Sequence, residues 1–164
     1  MNLFPILLTL ATLGCALVTG ITLIFAIVIM PGLGSLGDRA FLEGFKAIDQ
    51  VIQNNHPVFI LVWLGSALTL IIATGLGLGE LANPDCMLLV AALVLYLGGV
   101  QIPTAAVNVP LNNQLQVLQI DELNDDELRQ ARTAFEPRWL TWNTLRTWLA
   151  LITTVLLLIL LLRW

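Results

Sequence analysis

The stretch RWLTWNTLRTWLALITTVLLLILLL, residues 138–162, decides how this chain folds. From Leu149 onward it holds only Leu, Ala, Ile, Thr and Val. At 25 residues it is long enough to cross a bilayer as a helix, which takes about 20. Its first half is different. Asn143 and Arg146 are bracketed by Trp139, Trp142 and Trp148. A segment built for lipid that carries an amide and a guanidinium is either an interfacial anchor that runs deep or the polar wall of a site.

Three more stretches are of the same kind. With residues 138–162, the spans are 5–31, 57–79 and 85–107. The chain of 164 residues is 58% hydrophobic and only 11% charged, with a mean hydropathy of +0.90. A soluble domain is nearer one quarter charged. The expected fold is all-α: an integral membrane four-helix bundle in a single transmembrane domain, 1–164. No polar stretch is long enough to bury a core of its own. The first span has no Lys or Arg before it and is too long for a signal-peptide core, so it is expected to stay as a span. Cys15 and Cys86 form no metal pattern and suit small apolar fillers.

Prolines punctuate the spans. Pro31 is expected to end the first span, Pro57 to open the second, Pro110 to follow the third and Pro137 to open the fourth. The gaps of 26 and 27 residues suggest two similar helical hairpins in a parallel repeat. Each gap reads as a short interfacial amphipathic helix. In DRAFLEGFKAIDQVI, residues 38–52, Phe41, Phe45, Ile48 and Ile52 make one apolar stripe, with Asp38 as its N-cap. Arg39, Glu43 and Lys46 have helix-pair spacing. In NDDELRQARTAF, residues 124–135, Asn124 caps and Leu128, Ala131 and Phe135 make the stripe. Two such helices would roof one mouth of the bundle. Gly14, Thr19, Gly20, Gly65 and Ser66 are small enough for close helix approach.

Charge placement sets an expected orientation. Arg39, Lys46, Arg129, Arg132 and Arg138 lie in or beside the two long loops, and Arg163 lies on the other side. Basic residues favour the cytoplasm, so both long loops are expected there. The basic residues are few and interleaved with acids, which gives nucleic-acid binding no support.

The polar residues inside the spans carry the chemistry. Glu136, Trp139, Asn143 and Arg146 recur on one helix face, with Trp142 beside them. Arg146 sits ~12 Å along the helix from Arg138 at ~1.5 Å per residue. A charge at that depth costs ~2.5–3.5 kcal/mol on insertion scales and needs a partner. No acid lies at matching depth, so asparagine carbonyls, freed backbone carbonyls, water or a ligand remain. The plainer alternative is an arginine that snorkels to the interface. In the third span, Gln101, Thr104, Asn108 and Asn112 share one face, and Pro103 and Pro110 free carbonyls near Gly99 and Ala106. These amides line a cavity or only join helices. His56, the single histidine, is a turn residue or a general base. Asp49 and Glu136 are further candidate bases. One His with scattered acids does not make a metal site, and no nucleotide loop or haem pattern occurs.

MPGLGSL (30–36), FKAIDQVIQNNHP (45–57), AVNVPLNNQL (106–115) and FEPRWLTWNTLRT (135–147) resemble the anthrone-oxygenase-like family of small four-helix membrane proteins. The resemblance implies oxidation of polyketide anthrones by O2 without metal or flavin, and so no cofactor. It supplies no catalytic residue list, so roles come from the chemistry. His56 or Glu136 would be the base. Arg146, with Asn143, Asn108 or Asn112, would hold an oxyanion, and Trp139 and Trp142 would stack on the rings. The expected function is a membrane-embedded, cofactor-independent oxygenase acting on an anthrone- or quinone-like aromatic. Alternatives are a non-enzymatic binding or accessory subunit, a small transporter, and a metal-dependent oxygenase using His56 and loop acids. Expected partners are the lipid bilayer and a lipophilic small molecule, with a homo-oligomer left open.

Overall fold

The structure is a computed structural model that describes residues 2–164. Its described residues form an all-helical fold without strands. Four helices are long and apolar enough to cross a membrane: α1 Leu3–Gly34, α3 Pro57–Glu80, α4 Asn83–Gln116 and α5 Asp125–Arg163. The remaining α-helix, α2 Asp38–Gln53, lies between the first two, and a single 3-10 turn, Ile120–Glu122, precedes α5. We call the end that carries residues 35–56 and 117–124 the loop side. The opposite end, where α3 turns into α4, is the turn side.

The sequence accounts for the packing order. α1 sits centrally against α3 and α5, and α5 packs on α4. Gly14 sets the α1–α3 approach, since a Cβ there would stand 2.8 Å from that of Ser66. Gly20 and Gly65, by contrast, meet no other helix. Thr19 meets Thr154 across α1 and α5 at 3.1 Å. One apolar core fills the turn-side half, built from Phe4, Leu8, Val18, Leu70, Leu89 and Leu157. The loop-side core joins Met30, Phe41, Phe45, Leu111, Phe135 and Trp139.

Three prolines do not do what their positions suggest. Pro31 and Pro110 stop nothing; α1 continues to Gly34 and α4 to Gln116. A mid-helix proline lacks its N–H and crowds the carbonyl four residues back. In α1 and α4 that carbonyl belongs to the central residue of a wide π turn. The turns are Phe25–Ile29 before Pro31, Leu97–Gln101 before Pro103 and Thr104–Asn108 before Pro110. Each closes with a bond to the fifth residue back: Met30 to Phe25, Ile102 to Leu97 and Val109 to Thr104. The wide turn relieves the clash, and the helix runs on. Pro57 does open α3.

Pro137 lies inside α5, so the second amphipathic stretch is not a separate helix but the first turns of the fourth span. Asn124 caps it in a reciprocal box with Glu127, as its position suggests. Only α2 forms a roof. Gly37, not Asp38, is its N-cap, and Asp38 instead receives Arg132 at 3.1 Å. Arg39 and Lys46 do not use Glu43. Their side chains donate to the carbonyls of Ile120, Leu123 and Leu118, tying α2 to the loop after α4. The buried face of α2 holds Phe41, Leu42 and Phe45, and it ends in a carboxyl group, Asp49.

Candidate active site: a cavity between a buried acid and a buried arginine

Under the roof lies a cavity of about 160 Å³. Its apolar wall comes from Ile21 and Phe25 of α1, Phe45 and Ile52 of α2, and Phe59 and Trp63 of α3. Phe59 and Trp63 stack with centroids 5.4 Å apart and planes 16° apart, giving a flat aromatic face. Trp139 supplies a second ring. The polar wall is Asp49, Asn108, Asn112 and Arg146. A wider groove of about 460 Å³ lies outside the bundle, lined by Gly37–Ala40 and the start of α5, and touches none of these groups.

Arg146 is 6% exposed. Its guanidinium donates to Asn143 Oδ1 from Nε at 3.2 Å and from Nη2 at 2.9 Å, and Nη1 donates to Thr104 at 3.1 Å. Asn143 is fully buried and donates to the Thr22 carbonyl at 3.0 Å, which fixes its amide so that the oxygen faces the arginine. The guanidinium carbon lies 5.4 Å from the Trp139 centroid and 5.9 Å from that of Trp63. Both rings offer their negative faces to the cation. The arginine therefore does not snorkel to the interface. Its partners are an asparagine carbonyl, a hydroxyl and two indoles.

Asp49 stands at the other end of the cavity and is 3% exposed. Three amides donate to it: Asn112 at 2.7 Å, Gln116 at 2.8 Å and Gln53 at 3.2 Å. Asn112 also accepts from the Trp139 indole N–H at 2.8 Å, so one amide locks the acid and the ring together. No ion pair joins Asp49 to Arg146 among the described residues. Two opposite buried charges thus face one apolar space without meeting. Asn108 is 1% exposed; its amide nitrogen reaches only the Trp139 carbonyl at 3.4 Å, and its oxygen has no partner.

The cavity gathers Asn108, Asn112, Trp139 and Arg146, with Asn143 directly behind the arginine. His56, Glu136 and Trp142 are not brought into it. His56 is the exposed N-cap of α3 and makes no capping bond. The residue before it, Asn55, adopts the left-handed region at φ 58°. Glu136 lies half-buried beside Gly34 and receives Arg132 Nε at 2.7 Å. That arginine also donates to the Gly34 and Leu36 carbonyls, so the pair clasps the end of α1. Trp142 is half-buried on a neighbouring face of α5, outside the lining. Trp63 joins the site without being among the residues expected from the sequence. Its signal is its type and place: it is the one tryptophan in its span, one turn after Phe59 and near the loop-side mouth.

No group of three His, Cys, Asp or Glu side chains comes together among the described residues. Four helices of this length and hydropathy fit a multi-pass membrane protein. No curated protein and no solved structure matches the chain. The family model for anthrone oxygenase matches residues 49–156, well over half of the chain. That stretch opens at Asp49 and includes Trp63, Asn108, Asn112, Trp139 and Arg146, so the cavity's polar wall falls within it, and the chain belongs to the anthrone oxygenase family.

Proposed function

We propose that the protein is a membrane-embedded, cofactor-independent oxygenase acting on a flat lipophilic ketone with an acidic C–H, of the anthrone type. The observation that carries this is the placement of Asp49 and Arg146 in one aromatic-walled cavity without an ion pair between them. A buried charge needs a partner, and each of these keeps a face toward the space between them. An enolisable ketone suits both. Asp49 takes the C–H proton as general base, and Arg146 holds the oxygen on which the negative charge develops. The indole and phenyl faces of Trp63, Trp139 and Phe59 take the rings.

The enolate is itself the reductant for dioxygen. Its carbon bonds to O2 and gives a hydroperoxide. Loss of the second C–H proton with O–O cleavage then gives the new carbonyl and water. One oxygen atom ends in the quinone and the other in water, so the methylene's four-electron oxidation balances the reduction of O2. His56 and Glu136, the other candidate bases, lie outside the cavity, which favours Asp49. A transporter is less well supported, because the cavity ends blind against the packed turn-side core.

Both loops are proposed to face the cytoplasm. Arg39, Lys46, Arg129, Arg132 and Arg138 stand on that side, whereas Arg163 is spent on Asp85 at 3.0 Å on the other.

Native mass spectrometry after incubation with anthrone tests the binding step. The wild type is expected to retain an anthrone adduct, and Arg146→Leu to lose it while keeping its fold. An adduct equally retained by Arg146→Leu would remove the arginine from the site.

A further inference from the structure

We infer that the cavity is entered sideways, from the loop-side leaflet of the bilayer, through the gap between α3 and the loop-side half of α4. This rests on the proposal that the cavity takes a lipophilic ligand, and it adds the route.

The direct way in from water is shut. α2 is stitched to α4 and to the loop after it by a row of polar bonds directly above the cavity. Asn112 and Gln116 reach Asp49, Gln53 reaches Asn113 at 2.8 Å, and Gln116 also reaches the Lys46 carbonyl at 3.0 Å. Lys46 and Arg39 extend the row to the carbonyls of Leu118, Ile120 and Leu123. The back of the cavity is shut as well, because α1 packs closely on both α3 and α5.

The front is different. α3 and α4 leave their shared turn side by side and touch mainly along residues 83–96 of α4, less closely than α1 packs on α3. Beyond that α4 stays against α5, and its close contact with α3 lapses. The cavity lies in this opening. Val109 lines it and is 41% exposed; Phe59 and Ile52 line it and are half-buried. Ala105, one turn before Val109, is exposed. The sill is therefore wholly apolar at the depth of Trp63. An aqueous solute would have to cross lipid to reach it, whereas a ketone already partitioned into the leaflet would meet it directly.

The test uses the full chain in phospholipid nanodiscs, with anthrone as the probe. Stopped-flow quenching of tryptophan fluorescence reports occupancy beside Trp63 and Trp139. Ala105→Phe, outside the cavity lining, is expected to slow the quenching several-fold and leave its final amplitude nearly unchanged, and Val109→Phe is expected to slow it as well. Asn113→Ala, which removes one stitch of the roof, is expected to leave the rate alone. Wild-type rates in both phenylalanine variants, or faster loading in Asn113→Ala, would overturn the lateral route alone. No quenching in the wild type would overturn the ligand site and the route together.

Discussion

Asn143 and Arg146, three residues apart on α5, form a single unit in which one amide oxygen accepts two guanidinium N–H groups. The amide is in turn anchored on the Thr22 carbonyl of α1. A positive charge is thereby held at membrane depth in a fixed direction, toward the cavity and not toward water.

This unit predicts non-additive stability. Asn143→Leu leaves Thr104 as the arginine's one side-chain hydrogen-bond partner, beside the two indole faces. Removing one partner of a buried charge costs ~3–5 kcal/mol in soluble proteins, but polar bonds between membrane helices average nearer ~0.6 kcal/mol. The charge makes the first figure the closer guide, so a loss of about 2–4 kcal/mol is expected. Arg146→Leu added to Asn143→Leu should cost less than the sum of the two. Unfolding of all three variants in one detergent measures the cycle.

Asp49→Asn should separate chemistry from fold. The amide is the same size but keeps one acceptor oxygen, so its N–H2 group faces either the Asn112 donor or the Gln116 and Gln53 donors. A stability loss of about 1–3 kcal/mol is expected, since a donor is left facing donors. The rate of anthrone oxidation should fall about 10²–10⁴-fold, the usual contribution of a general base. His56→Gln should change neither, because His56 is exposed and outside the cavity.

Two glycines of α1 should respond in opposite ways. Gly14→Ala drives a Cβ to 2.8 Å from Ser66 Cβ and 3.0 Å from its Cα. Backbone cannot rotate away, so α1 and α3 must separate, at about 1–3 kcal/mol. Gly20 meets nothing within 4 Å, and Gly20→Ala should gain up to ~1 kcal/mol of helix propensity. Thermal unfolding of the pair decides whether the α1–α3 approach is set by Gly14.

Asn124→Ala removes the oxygen that caps the N–H groups of Asp126 and Glu127 at 3.0 Å. A loss of about 1 kcal/mol is expected. Hydrogen exchange should show fraying confined to the first turns of α5, because Leu128 and Phe135 hold the rest against the loop-side core.

The four spans were legible because hydropathy over 20 residues is a strong signal and needs no partner. The ends were not, because a proline is read as a stop unless a π turn can be foreseen. The freed carbonyls near Gly99 and Ala106 were the trace of those turns: both residues are the centres of π turns. The polar wall was also legible, since Asn108, Asn112, Trp139, Asn143 and Arg146 have helical spacing on two faces that meet. The acid was harder to find. Asp49 falls on the buried face of an amphipathic helix, where it looks like a break in the apolar stripe. Only the fold shows Asn112 and Gln116 converging on it. His56 and Glu136 fit a base by type and by their place at the loop-side mouth, but neither feature reveals that Glu136 pairs with Arg132 and that His56 is exposed.

The most direct test of the account is anthraquinone formation from anthrone under oxygen, with purified protein in nanodiscs and empty nanodiscs as the background. The account predicts that wild type exceeds the background, and that Asp49→Asn and Arg146→Leu fall to it while still folded. A wild type no faster than empty nanodiscs, or an Asp49→Asn variant as fast as wild type, would contradict it.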